Sequence, residues 1–322
     1  MRFVLFTIGL GVGLALTSCA RSPTYPSAGE CAAGQESCGD ICVPTGTCQP
    51  TSTGGTGGTG TGTGTATSAP NPPASQNCTD VGSAYNVLRA DYGSTVVAVT
   101  GANKQYVAQT NWWHVFNQQT VTVNGLSFTV GNPAGATSLD NNPMGYPSFF
   151  IGSYAGNTSK GSNLPKQVSA LKNVYTVLST NANSKGYSNY NAAYDVWLTQ
   201  SGSPLPAYQY DPGAGGAFLM VWLFRPAERQ PRGQNTYPSH TVSGLPGTWD
   251  VWIDSTNPPC ISYVSTSPKE TLDYDLNAFI QDAVKNGYGI TSSMYLSVLF
   301  AGFEIWGGGD GLQVKAFCAN VL

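Results

Sequence analysis

Two carboxylates stand among aromatic neighbours in a chain with few charges to spare. Glu304 lies in Gly302-Phe303-Glu304-Ile305-Trp306, and Asp195 lies in Tyr194-Asp195-Val196-Trp197. Residues 78–322 hold the glutamates Glu228, Glu270 and Glu304, and only Glu304 is flanked by aromatics. An apolar surrounding raises a carboxyl pKa, as a general acid working near neutral pH requires. In an extended chain, period-two alternation puts Trp197 on the face of Asp195 and Trp306 on the face of Glu304. Trp113, Tyr146, Trp222 and Trp252 add further flat rings. Such rings can stack on the apolar C–H faces of pyranose sugars, although core packing is the commoner fate of an aromatic residue.

Other chemistries find little support. His114 and His240 are the only histidines, and no Cys/His/Asp cluster offers a metal its ligands. A serine nucleophile would need an elbow of the Gly-x-Ser-x-Gly kind, which the sequence lacks. Gly307-Gly308-Gly309-Asp310-Gly311 has no strand-to-helix context and reads as a tight turn rather than a nucleotide loop. Asp211 opens Asp-Pro-Gly, a turn sequence in its own right. The expectation is therefore no cofactor and no metal.

The elements that must position these residues are short and β-like. Thr120–Val130, Tyr194–Leu198, Phe218–Phe224, Thr248–Ile253 and Ile261–Val264 alternate or run apolar, with Gly, Asn, Pro and Ser between them. Many short strands separated by turn signals predict an all-β sandwich. Asp273–Asn286 breaks the pattern, placing Leu276, Phe279, Ile280, Ala283 and Val284 at helical spacing ahead of Gly287. That predicts one amphipathic helix lying on the outside of a sheet. Strand character returns over Met294–Phe300 and Leu312–Val321. On the Phe218–Phe224 strand, Phe218, Met220 and Trp222 share one face.

The order of motifs resembles glycoside hydrolase family 12, the β-jelly-roll endoglucanases and xyloglucanases. The residues that carry the likeness are Asn111-Trp112-Trp113, Tyr146-Pro147-Ser148, Tyr194–Leu198, Leu219-Met220-Val221-Trp222, the helix, and Ala301–Trp306 followed by Gly311-Leu312. The resemblance implies a two-sheet jelly roll with a concave cleft for β-1,4-glucan: cellulose, xyloglucan or mixed-linkage glucan. It implies Glu304 as acid/base and Asp195 as the assisting carboxylate. It also implies Asn111, Trp113, Tyr146, Met220, Trp222 and Trp306 as substrate-binding residues. One position departs from the family pattern. Where the family opens its Glu-aliphatic-Met-aliphatic-Trp strand with the nucleophile, this chain has Phe218. Two readings follow, a glycoside hydrolase on β-1,4-glucan and a polysaccharide-binding surface lipoprotein on the same fold without turnover.

The remaining chain organises itself around export. Residues 1–18 carry Arg2 and an apolar run from Phe3 to Leu16, too short to span a bilayer, and read as a signal peptide. Leu16-Thr17-Ser18-Cys19 resembles the lipobox of bacterial lipoproteins, which makes Cys19 the lipidation site. Residues 19–50 form a lipid-anchored segment in which Cys31, Cys38, Cys42 and Cys48 suit two local disulfides. Residues 51–77 are a Thr/Gly/Pro linker, and 78–322 form the main domain. Cys78, Cys260 and Cys318 leave an odd thiol whose partner the sequence does not choose. The expected site is the cell envelope, at the outer membrane or cell surface. Charged residues make up 10% of the chain, against about 25% in an ordinary domain. With 14 basic and 17 acidic residues and no basic stripe, binding to nucleic acid is excluded. The expected partners are a neutral β-glucan and a membrane reached through the anchor, with the domain itself a monomer.

Overall fold

The computed structural model describes residues 35–38, 41–44, 85–90, 96–100, 104–112, 119–131, 142–182, 189–227 and 229–322. Cys19, Cys31, Cys48, Cys78, Trp113, His114, Glu228 and the linker lie outside the described residues.

In chain order the elements are β1 (Gln35–Cys38), β2 (Ile41–Pro44), β3 (Tyr85–Ala90), β4 (Val96–Thr100), β5 (Gln105–Gln109), β6 (Gln119–Asn124) and β7 (Ser127–Gly131). There follow β8 (Ser148–Tyr154), β9 (Asn157–Thr158), β10 (Lys166–Gln167), β11 (Val174–Thr180), β12 (Ala193–Thr199) and β13 (Ala217–Trp222). The last are β14 (Gln234–His240), β15 (Trp249–Asp254), β16 (Cys260–Ser265), β17 (Thr271–Asp275), α1 (Asn277–Asn286), β18 (Tyr295–Gly302) and β19 (Gln313–Val321). β1 and β2 pair as a small hairpin. The larger sheet runs β14-β15-β16-β13-β12-β18-β8-β5-β4, and the smaller one runs β17-β11-β19-β7-β6-β3. This is the all-β, two-sheet sandwich expected from the strand pattern, with α1 as its α-helix.

Alternation along the large sheet separates two hydrophobic clusters. On β13, Ala217, Leu219 and Val221 belong to the core between the sheets, where Leu178 of β11 and Phe317 of β19 meet them. Phe218, Met220 and Trp222 belong to the cluster on the opposite, outer face, together with Phe150, Trp197, Trp252 and Phe300. Each buried side chain of this size contributes about 1.5–3 kcal/mol. Holding both faces apolar explains why β12 and β13 read as almost continuous hydrophobic runs.

Two local expectations change. Thr120–Val130 is not one strand but the hairpin β6–β7, turned at Asn124-Gly125, where Gly125 adopts φ 56°. The helix begins at Asn277 rather than Asp273, because Thr271–Asp275 is β17 and pairs with β11. Asp275 marks the switch, its Oδ1 accepting hydrogen bonds from the backbone N–H of Val174 at 2.7 Å and of Asn277 at 3.0 Å. Gly287 ends α1 in the left-handed conformation, φ 69°. The helix does not lie on the outside. Phe279 packs edge-on against Trp249 at 4.8 Å and against Tyr263 at 5.0 Å, so α1 closes the inner core beside β15 and β16.

Candidate active site

Backbone register fixes the outer face as rows that cross the strands. One row reads Trp252, Ser262, Met220, Asp195, Phe300 and Phe150 from β15 to β8. The row beside it reads Val264, Trp222, Ala193, Gly302, Ser148 and Gln109 from β16 to β5. On the far side of the first row lie Cys260, Phe218, Trp197 and Val298. The middle of the second row is a trough in side-chain size alone: Ala193, Gly302 and Ser148 are small, and all three are buried. Gly302 has no alternative, since a Cβ there would sit 2.1 Å from the Pro147 carbonyl oxygen and 2.7 Å from Ser148 Cα.

The carboxyls flank this trough. Glu304 follows β18 and is held by Asn191, just ahead of β12. Asn191 Nδ2 donates to Glu304 Oε2 at 2.6 Å, and the Glu304 N–H donates to Asn191 Oδ1 at 3.1 Å. The Asn191 N–H donates to the Glu304 carbonyl at 3.0 Å. Asp195 stands on the other side, one of its oxygens accepting from Trp197 Nε1 at 2.9 Å. Tyr146 spans the interval, donating from its hydroxyl to the Ala193 carbonyl at 2.9 Å.

Burial dominates the electrostatics. Glu304 is 2% exposed and Asp195 5%. Burial pushes the Glu304 carboxyl up to about 8, a rise opposed by the Asn191 hydrogen bond and reinforced by the charge of Asp195. Burial likewise pushes Asp195 up to about 7 against the Trp197 hydrogen bond. The Tyr146 hydroxyl is raised well above its ordinary value, first by burial and then by both carboxylates. Burial thus holds both carboxyls up in the neutral range, where a proton can be given by one and taken by the other.

The structure brings Asp195, Glu304, Tyr146, Met220, Trp222 and Trp306 to the outer face. Trp306 and Trp222 lie 6.1 Å apart, and the Arg229 guanidinium sits 5.6 Å from the Trp306 ring. Asn111 adopts φ 41° and passes its carbonyl to the Tyr146 N–H at 2.8 Å. Phe218 shares the face of Met220, as the alternation predicts, but is 2% exposed and packs edge-on against Trp197 at 5.5 Å. The aromatic rings of this face are buried, Trp222 fully, and so present less open platform than the sequence suggests. What they leave uncommitted is polar. Asp195 Oδ1, Trp222 Nε1, Trp252 Nε1 and Gln109 Oε1 are buried without a hydrogen-bond partner. Gln109, whose Nε2 donates to Ser148 Oγ at 3.0 Å, was not signalled by sequence, because only register places it at the end of the trough. Asn191 was missed for the same reason. Asp211 is a turn residue, its Oδ1 accepting from the Gly213 N–H at 2.8 Å. Cys260 and Cys318 are both disulfide-bonded, so neither is the odd thiol.

The family model described as Glycosyl hydrolase family 12 matches residues 104–322. A probable cellulase, Cel12b of Mycobacterium tuberculosis, is 29% identical over 162 residues, covering 50% of this chain and 99% of its own. Xyloglucan-specific endo-beta-1,4-glucanase A of Aspergillus niger is 28% identical over 135 residues, 41% of this chain and 52% of its own. Among solved structures, endoglucanase cel12A from Rhodothermus marinus superposes with a TM-score of 0.63 at 30% identity, over 74% of this chain and 99% of that one.

Proposed function

We propose, for a chain that belongs to glycosyl hydrolase family 12, that the trough takes a β-1,4-glucan of the cellulose or xyloglucan class and that Glu304 and Asp195 hydrolyse it. The observation that carries the reading is the carboxyl pair on either side of the Ala193–Gly302 floor, with Glu304 pushed to about 8 and Asp195 to about 7. The unpartnered atoms from Gln109 on β5 to Trp222 on β13 cross four strand spacings, about 19 Å of sheet. A hydroxyl-rich chain lying across the strands would satisfy them, whereas an apolar ligand would leave them unpaid.

The chemistry this arrangement supports is single displacement. A retaining glycosidase needs a nucleophilic carboxylate, and by resemblance its position is held here by Phe218, which cannot attack. Glu304 would protonate the glycosidic oxygen while Asp195 draws a proton from water on the opposite face of the sugar, giving a product of inverted anomeric configuration. Reducing-sugar release from soluble β-glucan, with the product anomer followed by NMR, tests it. Glu304→Gln and Asp195→Asn should each lower the rate about 100-fold or more; release undiminished in both would refute the assignment. Activity should need Asp195 ionised and Glu304 protonated, and so peak between about pH 7 and 8.

The burial of Phe218 against Trp197 favours a second reading, recognition without turnover. Retention on glucan with no sugar release by the natural protein would establish it over the first. In either case the lipobox supports attachment through Cys19 to an envelope membrane.

A further inference from the structure

On the inner face of the large sheet, at its β14 edge, a cavity of about 620 Å³ opens between β14, the end of β15 and the C-terminus of α1. Pairing of Gln234 with Ile253 and of Tyr237 with Val251 puts it on the opposite side of the sheet from the carboxyls. Tyr237 stacks on Tyr288 with centroids 5.1 Å apart and planes at 27°, yet its side chain stays 44% exposed. Among the described residues, whose large apolar side chains are mostly buried, an exposed ring is uncommon, and this one stands over a cavity.

The ring is braced from behind. Tyr288 meets His240 at 6.5 Å, and His240 Nε2 bonds Asp282 Oδ2 at 2.9 Å. The Tyr263 hydroxyl donates to the same oxygen at 2.8 Å. Asp282 is therefore spent on the brace, and Asp254 is spent on Arg232 and Thr256. No unspent charge lines the cavity among the described residues. Apart from the paired Asp254, its polar groups are neutral, among them Gln234, Thr236, Ser255 and Asn286. Gly233, Gly287 and Gly289 form part of the wall, all at positive φ, and a Cβ on Gly233 would lie 2.1 Å from the Ile253 carbonyl oxygen.

An aromatic face, neutral amides and hydroxyls, and no free charge match a neutral pyranose chain and mismatch phosphate or uronate ligands. We propose that this cavity is a second glycan site, which holds β-linked glucose units remote from the carboxyls. The proposal rests on the reading that the trough takes a glucan, and it assigns His240 and Asp282 as positioning residues for the platform.

The full-length chain, Tyr237→Ala and Tyr237→Phe are run by affinity electrophoresis through gels containing xyloglucan. In parallel, cellohexaose is titrated while tryptophan fluorescence reports the trough, since Trp222 and Trp252 lie there and no tryptophan lines the cavity. Tyr237→Ala should weaken retention about three- to tenfold, the effect of one aromatic contact, with the fluorescence titration unchanged and Tyr237→Phe like the natural protein. A fluorescence response with equal retention in all three overturns the second site and leaves the trough standing. Neither response nor retention in the natural protein overturns both. Equal loss in Tyr237→Phe and Tyr237→Ala would overturn stacking as its basis.

Discussion

Asn191 grips Glu304 by backbone and side chain together, and the side-chain half favours the ionised carboxylate. Asn191→Ala removes that support, so the Glu304 pKa should climb further. The alkaline limb of the pH–rate profile should then move upward from about 8 while the acid limb, set by Asp195, stays in place. The same raised pKa values predict how stability varies with pH. Both groups bind protons more tightly folded than unfolded, where carboxyls titrate near 4. Between about pH 4 and 8 the native state therefore holds more protons, and stability falls as pH rises through that window. Asp195→Asn and Glu304→Gln should each raise the melting temperature at pH 8, by up to a few kcal/mol of stability, and flatten its pH dependence. A thermal melt series from pH 4 to 9 decides the matter. Glu304 and Asp195 were legible in sequence because aromatic flanks and motif order mark them. Asn191 and Gln109 were not, since a role conferred by cross-strand register leaves no trace in local composition.

At the scale of elements, β13 follows its alternation, which is why Phe218, Met220 and Trp222 share one face in sequence and structure alike. Alternation says nothing of how deeply a face is covered, so the burial of these rings went unread. A carboxylate at Phe218 would enter a site walled by Trp197 and the buried Cys260. Phe218→Glu should therefore cost about 3–5 kcal/mol, the range for losing a buried phenylalanine ring, and yield no retaining activity; chemical denaturation and an anomer-resolved assay test both halves. The helix start was misread because Leu276 and the residues after it carry helical spacing, while β17 just before them is set by pairing with β11 across nearly one hundred residues of chain. Long-range pairing overrides local periodicity at such a boundary.

For the whole molecule, sequence alone supplied the sandwich, the helix beside its core and the family likeness, because strand punctuation and motif order are distributed along the entire chain. The proposed export and anchoring role of residues 1–19 rests on local motifs alone. Cys19→Ala should release the protein into the soluble fraction, as membrane flotation of the two forms would show; a variant that still floats removes the lipid anchor from the account.

The β14 edge bears on what happens when many copies crowd onto one polymer. Strands at the rim of a sheet can zip to a neighbour's rim and seed aggregates. β14 is broken by Pro238, by Ser239 at φ 54° and by two slips in its pairing with β15. Such a margin presents no continuous ladder of donors and acceptors. Copies brought close together would therefore meet at this border without zipping into a continuous sheet.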